Sequence, residues 1–229
     1  MDYLFDGLLQ AGRLIVTLNP EVFQITWLTL QVSLSATLLS SAVAIPGAML
    51  LTEADFRGKE SVITLVNTLM ALPTVVVGLS VFAFLSRQGP LGPLELLFTP
   101  TAIVVGEFIL AGPIVTALTV AALKGVDPRI RETALTLGGS RWGTALMIVR
   151  EARYAVMAAV LAGYARVVSE VGSALIVGGN IRGYTRTLAT AIALETGKGE
   201  FAFAVALGLI LILLSLITNI AVRMLVRRR

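Results

Sequence analysis

Five apolar runs, at about 22–51, 60–86, 100–123, 152–177 and 200–222, leave this chain of 229 residues few ways to fold. Each reaches the roughly 20 residues that carry a helix across about 30 Å of hydrocarbon. Inside a bilayer every lipid-exposed backbone N–H and C=O must be bonded within the protein, so only helices or closed barrels span it. The runs are too long for barrel strands of about 10 residues. The expected class is therefore all-α: a polytopic membrane protein of about five transmembrane helices, with one membrane domain filling residues 1–229. Composition agrees, with 56% hydrophobic residues and 14% charged, against about 25% charged in a soluble domain.

Met1 to Pro20 reads as a short amphipathic lead-in. It carries Asp2 and Asp6 and lacks the basic start, apolar core and small-residue cleavage site of a secretory signal, so the first span is expected to insert uncleaved. There is no cysteine and no histidine, which removes disulfides, thiolate and imidazole metal sites and every catalytic arrangement built on those groups. No metal site and no catalytic residue is expected. A sequence pI near 9.8 raises nucleic acid as a partner, but the basic residues flank the spans, where membrane orientation explains them better.

Sorting lysine and arginine by loop makes that orientation concrete. One side holds Arg57, Lys59, Lys124, Arg129, Arg131, Arg141, Arg150, Arg153, Arg223, Arg227, Arg228 and Arg229; the other holds Arg13, Arg87, Arg182, Arg186 and Lys198. Arg166 lies within a span. The positive-inside rule puts the richer side in the cytoplasm, hence the N-terminus outside and the C-terminus inside. Pro46, Pro73 and Pro113 fall within apolar spans, where each removes a backbone donor and tends to kink the helix.

The cytoplasmic segment 124–151 is the longest polar island on its side. Asp127-Pro128 suits a helix start, because Asp accepts from the first free amides and proline fits the first helical position. Gly138-Gly139-Ser140 suits a turn into a second short helix capped by Ser140, since glycine tolerates positive φ. Two short helices at an angle make a rigid knob, and a partner gripping a knob moves the attached spans as a body. On the other side, 178–199 is expected to be the external loop.

Glu132-Thr133-Ala134-Leu135-Thr136-Leu137-Gly138, an E-x-A-x-x-x-G element about a hundred residues before the C-terminus, resembles the loop by which ABC importer permeases grip their ATP-hydrolysing subunits. The resemblance implies that Glu132, Ala134, Gly138, Gly139, Ser140, Arg141 and Trp142 are docking or turn residues. Many members of that family follow the loop's isoleucine with a leucine-proline pair. Here Ile148-Val149-Arg150-Glu151-Ala152-Arg153 stands instead, so the entry to the next span must be built differently, as in the tungstate-type members. Ala165 to Ala174, Gly179-Asn180-Ile181 and Thr185 to Ala189 also resemble the molybdate, tungstate and sulfate permeases, as does Met70 to Gly78; the likeness runs over about 57–190.

The resemblance implies a type I importer permease: a homodimer with the pathway at its interface, two ABC ATPase subunits on the cytoplasmic loops, and an extracytoplasmic oxyanion-binding protein. Tungstate is the expected cargo, with molybdate or sulfate as alternatives. ATP and Mg²⁺ would sit on the partner ATPase, because this chain has no G-x-x-x-x-G-K-[ST] loop and binds no cofactor of its own. The pathway or gate candidates are Pro73, Thr74, Gly78, Glu107, Arg166, Glu170, Gly172, Asn180 and Thr187. Arg166 and Glu170 stand four apart and can pair, since an intramembrane charge is costly alone. Whether they form a structural clamp or part of a gate is open from sequence, and the two acids Glu107 and Glu170 leave an ion-coupled carrier as a second class. Five spans without an evident internal repeat weigh against that class.

Overall fold

The structure, a computed structural model, describes residues 2–17 and 19–227, with side chains from Leu8 onward. Among these residues there are eleven α-helices and no strand: α1 (Asp2–Val16), α2 (Pro20–Glu53), α3 (Lys59–Leu69), α4 (Thr74–Leu85), α5 (Pro100–Lys124), α6 (Pro128–Thr136), α7 (Arg141–Glu151), α8 (Arg153–Val167), α9 (Gly172–Gly178), α10 (Leu188–Lys198) and α11 (Phe201–Val226). Met1, Leu18, Arg228 and Arg229, used above in the lead-in and the charge count, lie outside the described residues.

Three helices, α2, α5 and α11, are individually long and apolar enough to cross a membrane. The starts of two of them are explicit in the sequence. Asn19 accepts from the amides of Glu21 and Val22 ahead of α2, and Thr99 accepts from Ala102 ahead of α5, each with proline at the first position. The α2 face that packs along α5 is small: Ser33, Ala36, Thr37, Ser40, Ala44 and Ala48 are all buried. Close approach lets the Ser40 hydroxyl donate to the Phe108 carbonyl at 2.8 Å, the packing expected where no hydrophobic force draws helices together in lipid. Pro46 and Pro113 lie inside continuous helices.

The other two expected spans are broken. The run 60–86 consists of α3 and α4, bent by 100° at Met70 to Pro73. Pro73 has no N–H to donate and disfavours helical geometry at Leu72, which ends α3 and restarts the chain in a new direction. The run 152–177 consists of α8 and α9, bent by 63°. Here no proline intervenes, and the break is held by a side chain described below.

The segment 178–199, expected as the external loop, also departs from expectation. It is half helix: α10 begins with a reciprocal cap in which Thr187 accepts from the Thr190 amide while the Thr190 hydroxyl accepts from the Thr187 amide. Leu188 and Ala191 of α10 are buried with Val22, Ile25 and Leu207, against the N-terminal ends of α2 and α11. The apolar side of this short helix was hidden in a segment too polar overall to read as an element. Near the C-terminal end of α2 a second cluster, containing Ala48, Leu51, Val120, Leu123, Ile148, Ala152 and Val156, ties α2, α5, α7 and α8 together.

Candidate functional site

The segment 124–151 folds as the knob its turn residues imply. Asp127 Oδ1 accepts from the Arg129 amide at 2.9 Å, and Ser140 Oγ accepts from the Gly143 amide at 3.1 Å, so both short helices start on side-chain caps. Between them α6 closes in a Schellman arrangement. Gly138, at φ 83°, donates to the Leu135 carbonyl at 3.0 Å, and Gly139 donates to the Ala134 carbonyl at 2.9 Å. A side chain on Gly139 would place its Cβ 2.7 Å from the Ala134 oxygen. Thus Ala134, Gly138 and Gly139 specify one turn.

The knob is anchored at one end and bare at the other. Thr144, Ala145 and Ile148 of α7 are buried, whereas α6 buries no residue. Glu132 and Arg141 are exposed, Leu137 is 83% exposed and Trp142 64% exposed. Two large apolar side chains thus stand out of a capped, charged loop.

In the membrane the two broken spans meet at their breaks. A Cβ on Gly172, the first residue of α9, would lie 2.7 Å from Thr74 Oγ1, and one on Gly78 would lie 2.8 Å from Ser173 Cα. Thr74, Gly78 and Gly172 therefore belong to one α4–α9 contact, and Pro73 stands just ahead of it at the start of α4. Beside it, Glu170 Oε2 accepts from Arg166 Nη1 at 2.7 Å, while Oε1 accepts from the Ser173 amide at 3.1 Å. One carboxylate thus pairs with the last turn of α8 and caps the first turn of α9, fixing the 63° bend. The side chains differ in exposure: Glu170 is 3% exposed and Arg166 39%, so the arginine reaches an open flank of the chain.

Glu107 of α5 is 2% exposed, and Ser33 of α2 stands beside its carboxyl. Glu107 Oε2 and the hydroxyls of Ser33 and Ser173 are buried without a hydrogen-bond partner among the described residues. Asn180 and Thr187 lie apart from this cluster, at the start of α10. Asn180 (φ 51°) donates to the Thr190 carbonyl at 3.3 Å, and the Thr187 hydroxyl is occupied as the cap of α10.

Sequence reasoning missed two ion-paired groups. At the N-terminal end of α2, Glu21 accepts from Arg182 Nε at 2.7 Å and from Nη2 at 2.5 Å. It also lies 3.6 Å from Arg186, which in turn is 3.3 Å from the buried Glu195. With Lys198 these side chains line a cleft of about 350 Å³. The neighbouring Glu21 carboxylate, by hydrogen bond and charge, shifts the Arg182 pKa upward. At the other end of α2, Glu53 accepts from Arg131. A signal for both existed: Glu21 and Glu53 occupy the two ends of the first span, and each pairs with an arginine from a loop assigned to its own side by charge.

Residues 32–229 match the profile of a family described as "Binding-protein-dependent transport system inner membrane component". The chain is 46% identical over 179 residues to a probable anion ABC transporter permease protein of Haloferax volcanii, covering 76% of this chain and 77% of the relative. It is 37% identical over 194 residues to a tungstate uptake system permease protein of Peptoclostridium acidaminophilum, covering 85% of each. Among solved structures, it resembles a chain of a bacterial alginate ABC transporter in complex with an alginate pentasaccharide-bound periplasmic protein. That TM-score is 0.73 at 19% identity, over 100% of this chain and 88% of the other, a likeness of fold.

Proposed function

The chain belongs to the family of binding-protein-dependent transport inner membrane components, the permeases of ABC importers, and on that premise we propose that it carries an oxyanion, tungstate first, across the cytoplasmic membrane. The observation that carries the coupling half of this reading is the bare α6 with Leu137 and Trp142 exposed beside it. The cargo half draws on the tungstate and anion permeases among its relatives. Two copies would enclose the pathway, with an ATPase subunit holding ATP and Mg²⁺ under each docking loop. The N-terminus would lie outside, the C-terminus in the cytoplasm, and a binding protein would deliver the anion to the outer face.

The chain's own part is mechanical and electrostatic. A displacement of α6 passes through Gly138-Gly139 into α7, whose buried Ile148 shares a cluster with α2, α5 and α8. The broken spans are the segments able to change shape, because the α4–α9 contact at Thr74, Gly78 and Gly172 joins two half-helices and not two rods. Arg166 offers a cation on the open flank, and Glu170 neutralises much of it, so an anion is attracted without being held, as conduction requires. Glu107 and Glu170 serve as structural acids within this scheme, and specificity lies with the binding protein.

Co-purification with the candidate ATPase, followed by ATP hydrolysis in liposomes with the loaded binding protein, tests the reading. Stimulation by tungstate is the expected result; stimulation only by molybdate or sulfate would reassign the cargo, and no association with the ATPase would refute the docking role.

A further inference from the structure

Helix α6 buries none of its nine residues, yet it is fastened to the membrane part at a third point besides its two chain connections. Arg131, next in sequence to Glu132, donates to Glu53 in the last turn of α2, 78 residues away. Among the described residues this is the one salt bridge that α6 makes. The same end of α2 also meets α7: Met49, Leu50, Glu53 and Ala54 line a small cavity with Arg141, Trp142 and Ala145. The C-terminal end of α2 therefore touches both helices of the knob.

The other end of α2 is fastened as well. Glu21 holds Arg182 at 2.7 and 2.5 Å. Gln24 donates to the Gly183 carbonyl at 3.1 Å, and Thr29 Oγ1 accepts from the Leu188 amide at 2.8 Å. Between these ends α2 is one unbroken helix of 34 residues, about 50 Å at 1.5 Å per residue. A rod of that kind carries a displacement applied at one end to whatever is tied to the other.

We infer that Glu53 and Arg131 are positioning residues for coupling: their ion pair makes α2 move with the docking helix, so that motion of the knob reaches the outer segment 178–198 through α2. The inference rests on the permease reading and extends it to residues outside the E-x-A-x-x-x-G element. Glu53 is 19% exposed and Arg131 37%. Pairs so near solvent add little to stability, so the function of this one is geometric. Its loss leaves the fold and the docking surface in place and removes one of the three points at which α6 is joined to the spans.

The test uses the full complex with its ATPase in liposomes, supplied with tungstate-loaded binding protein, and reads tungstate taken up per ATP hydrolysed. Glu53→Gln and Arg131→Gln are each expected to lower that ratio roughly fivefold, the lower end of usual coupling between sites. Co-purification with the ATPase should be unchanged, and the exchange Glu53→Arg with Arg131→Glu should restore the ratio. Arg131→Lys, which keeps the charge and loses the fork, should fall between; it also serves where a glutamine variant fails to assemble. A normal ratio in Glu53→Gln overturns the inference, as does a loss in Arg131→Gln that the exchange fails to repair, since Arg131 would then act on the ATPase directly. Failure of the unsubstituted complex to respond to tungstate, molybdate or sulfate would instead remove the permease reading and the joint with it.

Discussion

Glu170 is the side chain on which the geometry of the fourth span depends, and replacing it separates two contributions. Glutamine keeps an acceptor for the Ser173 amide, 3.1 Å away, but leaves the Arg166 guanidinium, 2.7 Å away, without its counter-ion. Breaking a fully buried pair costs about 3–5 kcal/mol. Arg166 is 39% exposed, which permits partial relief, so Glu170→Gln is expected to cost about 2 kcal/mol. Alanine also removes the α9 cap, typically about 1 kcal/mol more, for a total of about 3 kcal/mol. The double variant Arg166→Gln with Glu170→Gln replaces the pair by neutral groups that can still bond, and should recover to within about 1 kcal/mol of the native chain. Thermal unfolding of the detergent-solubilised complex ranks the four proteins. Native melting in Glu170→Ala, or a double variant less stable than Glu170→Gln, would contradict the bracket.

Other outcomes follow from the same geometry. Trp142→Ala and Leu137→Asp should each weaken association with the ATPase by about 2 kcal/mol or more, measured by co-purification, while melting stays native because both side chains are exposed in the isolated chain. Gly78→Ala should destabilise by about 1–3 kcal/mol, since its Cβ would meet Ser173 Cα at 2.8 Å; Gly47→Ala, with nothing within 4 Å, should be neutral or stabilising in the same melt. Gly138→Ala forces a side chain into φ 83° at about 1–2 kcal/mol and should reduce docking more than folding, read as lost ATPase association in a chain that still inserts.

The knob at 124–151 was legible residue by residue because caps and turn glycines act locally. Asp127, Gly138 and Ser140 are used where the sequence puts them, and Ala134 enters through the carbonyl that Gly139 meets. The count of apolar runs was legible too, but their straightness was not. Pro73 signals a kink of undetermined size, and the bend at 168–171 depends on Glu170 finding Ser173 across a turn, a contact that hydropathy does not encode. The same limit hid α10, whose burial depends on α2 and α11 lying beneath it. Thr187, a pathway or gate candidate by sequence, has its hydroxyl engaged as a cap, because only the fold brings Thr190 back to it. Glu21 and Glu53 went unnoticed as acids at helix ends, although loop charges of matching side were available to pair with them.

The central claim is that an ATPase gripping α6 drives passage of an anion delivered from outside. The most direct measurement is ATP hydrolysis by liposomes holding the chain and its ATPase, with binding protein empty or loaded with tungstate, molybdate or sulfate. The account predicts that one loaded form stimulates hydrolysis and that Gly138→Pro, which breaks the turn between α6 and α7, abolishes uptake while membrane insertion persists. Equal hydrolysis with empty and loaded binding protein, or full uptake by the Gly138→Pro chain, would contradict it.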